Sequence, residues 1–393
     1  MESYIFSKFF TYRMSNWLCI IGEPKAQIND VLPYKGKLYF CGDFSSETFI
    51  GCLADNNLKW FGLTSNDFSF NRLCSYRDHL AVSGVFLLGF LNPERGDFEK
   101  CWTIFDHNEE YHIVNDIYCT NDFAVACNEN GCILRASISD LSEVMIWVKS
   151  PSENIPTSLL SIYHFKEYAV TGRQAMNNNS LLILLEKNFN VGWCIDFSET
   201  KEGMWLSEPY AVCLERDRIY VSGNYCYTLC FNLDGELLWG HILPSEFTES
   251  FPYSTPSIAV DEERLYFTYG GYFLVLDKYT GKLVRGFKVY IKGVKAEISK
   301  VKIINNNILM CGSSDLGGFI AFFPKENVDK IKSSDQYLQV VEVTPKVTNI
   351  HPQIKHLDLI TEEYLIVEEF TETLLDLEKK PVKITSYSDA PIL

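Results

Sequence analysis

The stretch "LDGELLW", residues 233–239, places an Asp-Gly turn four residues ahead of a tryptophan, and related runs occur as "ADNNLKW" at 54–60 and "EKNFNVGW" at 186–193. Tryptophans stand at 17, 60, 102, 147, 193 and 239, at steps of 43, 42, 45, 46 and 46 residues, with Trp205 alone outside the series. A second ladder keeps pace. Short apolar runs end in a small residue at Gly42, Gly84, Cys127, Gly172, Gly223, Gly270 and Gly312, a mean step of 45 residues. A period of about 40–50 residues built from short β-rich runs is that of a four-stranded propeller blade, and the 3.6-residue periodicity of two-helix repeats is missing.

The fifth unit shows the reading in full. "PYAVCLE", "RIYVSG", "YTLCFNL" and "ELLWGHI" are four successive strands, and Asp234-Gly235 makes the hairpin between the third and fourth, where positive φ costs glycine little. The tryptophans then fall on outer strands, and their role is packing between neighbouring blades. The expected fold is all-β: one β-propeller over residues 1–393, with seven clear repeats in 23–323. Residues 1–22 close the ring, "NWLCIIG" (16–22) as an outer fourth strand and "YIFSKFF" (4–10) as a third. Residues 324–393 hold a polar insertion at 325–336 and a degenerate eighth repeat over 356–384, with Glu368 in the glycine slot and "YLQVVEV" (337–343) as the outer strand of blade seven. This favours eight blades. The alternative is seven blades followed by a C-terminal β extension.

Composition agrees with a large folded core: of 393 residues, 47% are hydrophobic, 14% aromatic and 22% charged. A formal net charge of −16 repels phosphate backbones and anionic membranes, so nucleic acid is not an expected partner. No run approaches 18 apolar residues and the N-terminus lacks a signal-peptide pattern, so membrane insertion and export are not expected. Thirteen cysteines is an odd number, and Cys41, Cys127, Cys213, Cys230 and Cys311 lie in apolar runs as small hydrophobes, the pattern of a reducing cytoplasm.

The runs "TLCFNLDGELLW" and "FLVLDKYTGKL" resemble the β-propeller repeats of bacterial and archaeal quinoprotein-like and related proteins, across most of residues 16–323. The resemblance implies the fold. Enzymatic members of that group use a calcium site, a tryptophan platform and often a vicinal disulfide; this chain has no adjacent cysteine pair, and no quinone or other cofactor is implied. The Trp-Asp and Gly-His signature of the eukaryotic scaffold family is also missing.

Motifs for chemistry are sparse. His107, Glu109, Glu110 and His112 could supply metal ligands, but a polar loop explains them as well, and no Cys-x-x-Cys, phosphate-binding loop or nucleophile elbow occurs. No metal site is expected. In a propeller the loops entering the innermost strands converge at one mouth of the channel although they are about 45 residues apart. That geometry nominates Asp30, Arg72, Asp116, Glu208 and Lys300 as ligand-binding residues, with Asn29, Asn71, Asn115, Ser158, Ser254, Ser257 and His356 beside them. The function expected is a non-catalytic binding or scaffold protein with a protein partner or a small polar ligand. The alternatives are a hydrolase or lyase acting on a sugar-like substrate through Asp30, Asp116 or Glu208, and a surface or virion structural protein.

Overall fold

The apolar runs that end each ladder step become the middle strands of antiparallel meanders. In the computed structural model, which describes residues 17–22, 24–44, 47–55, 57–64, 68–104, 113–149, 154–243, 255–325, 338–364, 370–372, 377–379 and 382–388, the fifth unit consists of Ala211–Leu214, Arg218–Gly223, Tyr227–Asn232 and Leu237–Ile242, each paired with the next. Its second and third strands are covered on both faces. This is why they read as continuous apolar runs and not as a strict alternation.

Five more meanders of four strands occupy residues 27–64, 69–104, 114–149, 154–196 and 257–291. After them come Val294–Ile304, Asn307–Ser314 and Gly317–Pro324, and the last pairs with Trp17–Ile21, Trp17 lying opposite Phe322 and Ile21 opposite Gly318. The N-terminal strand thus serves as the fourth strand of the unit at the far end of the repeats. All six ladder tryptophans lie on fourth strands. The polar insertion at 325–336 lies, beyond Lys325, outside the described residues, as does the expected strand at 4–10.

The C-terminal region corrects one expectation. The strands of 338–388 do not build an eighth meander. Leu338–Val343 pairs with Leu283–Ile291, Thr348–Asn349 with Leu237–Ile242, Lys355–His356 with Val191–Asp196, and Leu359–Tyr364 with Leu141–Lys149. Phe370–Glu372 pairs with Phe98–Ile104, Glu378–Lys379 with Asn57–Thr64, and Ile384–Ser388 with Trp17–Ile21. Each segment is laid on the outer edge of a different unit, and the units are visited in reverse order. The reading of 356–384 as a degenerate repeat gives way to its alternative, a C-terminal β extension, and 337–343 belongs to the sixth unit. The physical reason is that a strand laid on an edge carries the same two-residue alternation as a strand within a hairpin.

The opening motif has a mechanism that spans two units. The indole N–H of Trp60 donates to the Pro93 carbonyl at 3.0 Å, that of Trp193 to Leu233 at 2.7 Å and that of Trp239 to Lys278 at 3.2 Å. Every acceptor lies in the third-to-fourth-strand turn of the following unit. Those turns contain Gly96, Gly235 and Gly281, at φ of +72°, +81° and +68°. A Cβ on Gly281 would sit 2.6 Å from the Trp239 ring and press on His241. The glycine of "LDGELLW" therefore receives the tryptophan of the preceding unit, and Trp239 reaches the next.

Two alanine substitutions separate this contact from backbone strain. Gly203 has φ +77° with nothing within 4 Å of a built Cβ, so Gly203→Ala should cost about 1–2 kcal/mol, the left-handed penalty alone. Gly281→Ala carries the same penalty and displaces Trp239, which should add a further 1–3 kcal/mol or so in urea unfolding. Equal losses in the two variants would show that the indole contact contributes nothing.

Candidate functional site

The first strands of the units line a central cavity of about 540 Å³. In five of them the pairing slips by one residue, between Ile28 and Asp30, Phe70 and Arg72, Val114 and Asp116, Leu159 and Ser161, and Ile298 and Lys300. A bulge re-aims the side chain that follows it. The register places Asp30, Arg72, Asp116, Ser161, Ala211, Ser257 and Lys300 at one level, opposite Cys41, Ser83, Cys127, Thr171, Ser222, Thr268 and Cys311. Two residues on, at the next level with the same side of each strand, come Leu32, Cys74, Tyr118, Tyr163, Cys213, Ala259 and Lys302.

Most of the first level fastens one unit to the next. Asp30 Oδ2 accepts the Leu73 N–H at 2.9 Å, while Oδ1 accepts the Val31 N–H at 2.8 Å and holds Lys302 Nζ at 2.7 Å. Asp116 Oδ2 accepts the Ser161 hydroxyl at 2.7 Å and the Ile162 N–H at 3.2 Å, and its Oδ1 accepts the Ile117 N–H at 3.0 Å. Ser161 Oγ accepts the Val212 N–H at 3.4 Å, and Ser257 Oγ the Val301 N–H at 3.2 Å. Asn29 and Asn115, the bulged residues, donate to the carbonyls of Phe70 at 3.0 Å and Leu159 at 2.7 Å. Ala211 has no group for this task.

The cations are placed differently. Arg72 Nη1 donates to the Asn71 carbonyl at 3.0 Å and the Asn29 carbonyl at 3.4 Å, and its Nε lies 3.6 Å from Asp116 Oδ1. Lys300 lines the cavity, and among the described residues no carboxylate forms a close ion pair with it, although the charges of Asp116 and Asp30 act on it from farther away. Burial, and then the charge of Arg72, lower the pKa of Lys300. For Asp30 burial pushes upward, but Lys302, Lys300 and Arg72 together hold its carboxyl below the usual value.

Four of the five nominated residues, Asp30, Arg72, Asp116 and Lys300, thus line one cavity. They sit on its strands and not on loops at its mouth. Glu208 is elsewhere: it occupies the connection between the fourth and fifth units at φ +50°, bonded to Arg173 Nη1 at 3.1 Å and to the Asn224 amide. Ala211 holds the position in register. In the fourth unit that position is Ser161 in place of Ser158, whose buried hydroxyl has no partner among the described residues. His356 is not on an inner strand, because Lys355–His356 lies on the outer edge of the fourth unit. Ser254 and the His107–His112 cluster lie outside the described residues. Lys302, Tyr118 and Tyr163 were missed. Alternation from Lys300, Asp116 and Ser161 would have found them.

His351 pairs with Glu202 at 2.7 Å. Among the described residues no three His, Cys, Asp or Glu side chains gather as metal ligands, and no helix is long and apolar enough to cross a membrane. None of the thirteen cysteines is bridged, and all but Cys74 and Cys119 are buried.

No family model matches the chain, and no curated protein matches it. Among solved structures, BamB from Moraxella catarrhalis, a β-propeller, aligns with a TM-score of 0.51 at 11% identity over 76% of this chain and 85% of its own. The computationally designed Ika8 protein aligns with a TM-score of 0.49 at 10% identity, over 77% of this chain and 98% of its own. The likeness to BamB is one of fold. It supports a propeller-like all-β architecture and does not extend to the quinoprotein-like family.

The Asp30 environment predicts an acid response. A carboxyl held lower in the folded chain than its unfolded value of about 3.9 contributes stability that is present above that pH and lost as pH falls through the folded value. Asp30→Asn should be less stable than wild type at pH 7, and its urea midpoint should fall less steeply below about pH 4. Identical acid slopes would show that Asp30 is not held low.

Proposed function

We propose that the chain is a seven-bladed propeller, closed by pairing of its first strand with the last repeat and girdled by its C-terminal extension. We propose further that it works as a non-catalytic scaffold for a protein partner. The carrying observation is a set of exposed apolar side chains on connections near Glu208. Met176 is 74% exposed, Trp205 49% and Tyr225 52%. Glu208 ties together the loops that bear them, through Arg173 and Asn224. Glu208, Tyr225 and Cys226 all adopt left-handed backbone, at φ of +50°, +61° and +55°, which costs each non-glycine residue about 1–2 kcal/mol and concentrates at working surfaces. Large exposed aromatics on a braced loop surface are the usual anchors of protein recognition.

Two further observations support the reading. The C-terminal segments occupy outer edges, so a partner that docks by adding a strand finds those edges taken, and the loop faces are left. The channel carboxylates are poor candidates for acid–base work, since Asp30 and Asp116 spend their oxygens on backbone N–H groups and Asp30 is held ionised, whereas hydrolysis of a glycoside needs one carboxyl kept protonated. Unbridged cysteines agree with a reducing compartment such as the cytoplasm.

Affinity capture with the wild type and with a Trp205→Ser/Tyr225→Ser variant tests the proposal, with Leu238→Ser as a control for another exposed apolar side chain. A protein retained by wild type and control should be lost by about tenfold or more from the double variant. Equal retention by all three chains would overturn the docking surface.

A further inference from the structure

The cavity walls carry three cations, Arg72, Lys300 and Lys302, against two anions, Asp30 and Asp116. This excess of one positive charge stands inside a chain whose net charge is −16. That count already includes both carboxylates, whose hydrogen-bonding oxygens are engaged elsewhere. Asp30 is taken by Lys302, Val31 and Leu73, and Asp116 by Ser161, Ile117 and Ile162. Lys300 is left facing the cavity with no carboxylate in ion-pair reach among the described residues. An ammonium in a partly dehydrated site without a counter-ion is costly, and the cost is recovered when an anion binds it. One level along the channel the wall becomes aromatic, with Tyr118 and Tyr163 at a ring-centroid separation of 5.3 Å. The volume, about 540 Å³, suits a small organic molecule and not a folded partner.

We infer that the central cavity is a binding site for a small organic anion, its carboxylate or phosphate set against Lys300 and Arg72 and its body against the Tyr118–Tyr163 wall. The assignment goes beyond the scaffold reading and is independent of it, since the channel and the loop patch at Trp205 share no residue. Asp30 and Asp116 hold the units together around the site, and Lys300 meets the ligand.

Isothermal titration of the full chain with benzoate and, separately, with inorganic phosphate tests this, with benzamide as the neutral counterpart of benzoate. Saturable binding of at least one anion is expected, with benzamide weaker than benzoate by about tenfold or more if the carboxylate is what Lys300 receives. Tighter binding of benzoate assigns a carboxylate ligand that uses the tyrosine wall, and tighter binding of phosphate assigns a phosphate-bearing one. Lys300→Met should weaken the preferred anion by about tenfold or more, and Lys300→Arg should restore most of that loss. Lys300→Met removes a charge that makes no close ion pair but helps hold Asp30 ionised, so a melting temperature close to that of wild type shows that the variant is folded; the benzoate–benzamide comparison needs no variant at all. The inference is overturned if neither anion binds the wild type, or if Lys300→Met binds the preferred anion as tightly as wild type. Intact partner capture with no anion binding would discard the channel site alone, and anion binding with no partner capture would discard the docking surface alone.

Discussion

Everything in this architecture depends on a side chain of one unit accepting the backbone N–H of the next. A propeller unit is a small sheet that cannot bury both faces alone, and apolar packing between neighbours is non-directional, so it does not fix how far one sheet turns relative to the next. Hydrogen bonds supply that angle. Asp30 reaches Leu73 and Asp116 reaches Ile162, each bond joining residues 43 and 46 positions apart, and each ends on an N–H that would otherwise be buried without a partner. A bond to a charged acceptor is worth about 1.5–3 kcal/mol, and stranding the donor costs a similar amount again. On the outside, Trp60, Trp193 and Trp239 perform the same task at larger radius by donating to the next turn. The first and second units, and the fourth and fifth, are thus held at two radii, which determines a rotation as well as a distance.

This double fastening explains which features could be read in advance. The tryptophan ladder was legible because one residue type recurs where one contact recurs. The polar ring was legible at Asp30, Arg72, Asp116 and Lys300 because a polar residue recurs at the same place on these innermost strands, although the contacts differ. It failed at Glu208 because the connection before Ala211–Leu214 is long, running from 197 to 210, and the first polar residue before a strand is not the one in register. Ser158 is three residues short of the position in register, Ser161, because Asn154–His164 begins well before its bulge. Cys127 stood one residue short of the glycine slot, which Asn128 fills opposite Val114. The misses at Ser158 and Cys127 are displacements along correctly placed strands, since strand existence follows from alternation whereas register follows from bulges that leave no compositional mark.

The course of the C-terminal extension along the outer edges was illegible for a deeper reason. Thr348–Asn349 and Glu378–Lys379 are two-residue strands with exposed side chains, and nothing in such pairs announces a strand. They are ordered by the backbone edge against which they lie. The need for them is nonetheless physical: the outer strand of every unit presents unpaired N–H and C=O groups, and an array of such edges invites association between chains. By adding short segments to successive edges, the extension pairs part of that backbone within the chain itself. Exposed acidic side chains on it, such as Glu362 and Glu378, add charge where an aggregating neighbour would approach.

The same division of labour accounts for the unbalanced charge in the channel. Carboxylates are the better fasteners, because each has two acceptor oxygens and a backbone has N–H donors to offer; a lysine or arginine has only donors and on the backbone can fasten only to carbonyls, as Arg72 does to Asn29 and Asn71. Where neighbouring units are held through N–H donors, acidic side chains are therefore consumed by structure, whereas a cation at the same level remains available. Lys302 is drawn in by Asp30, but Lys300, one pleat away, has no such neighbour within reach. A positively charged centre within a strongly acidic chain is what this asymmetry produces, and it places the unspent charge in the enclosed part of the molecule where water screens it least.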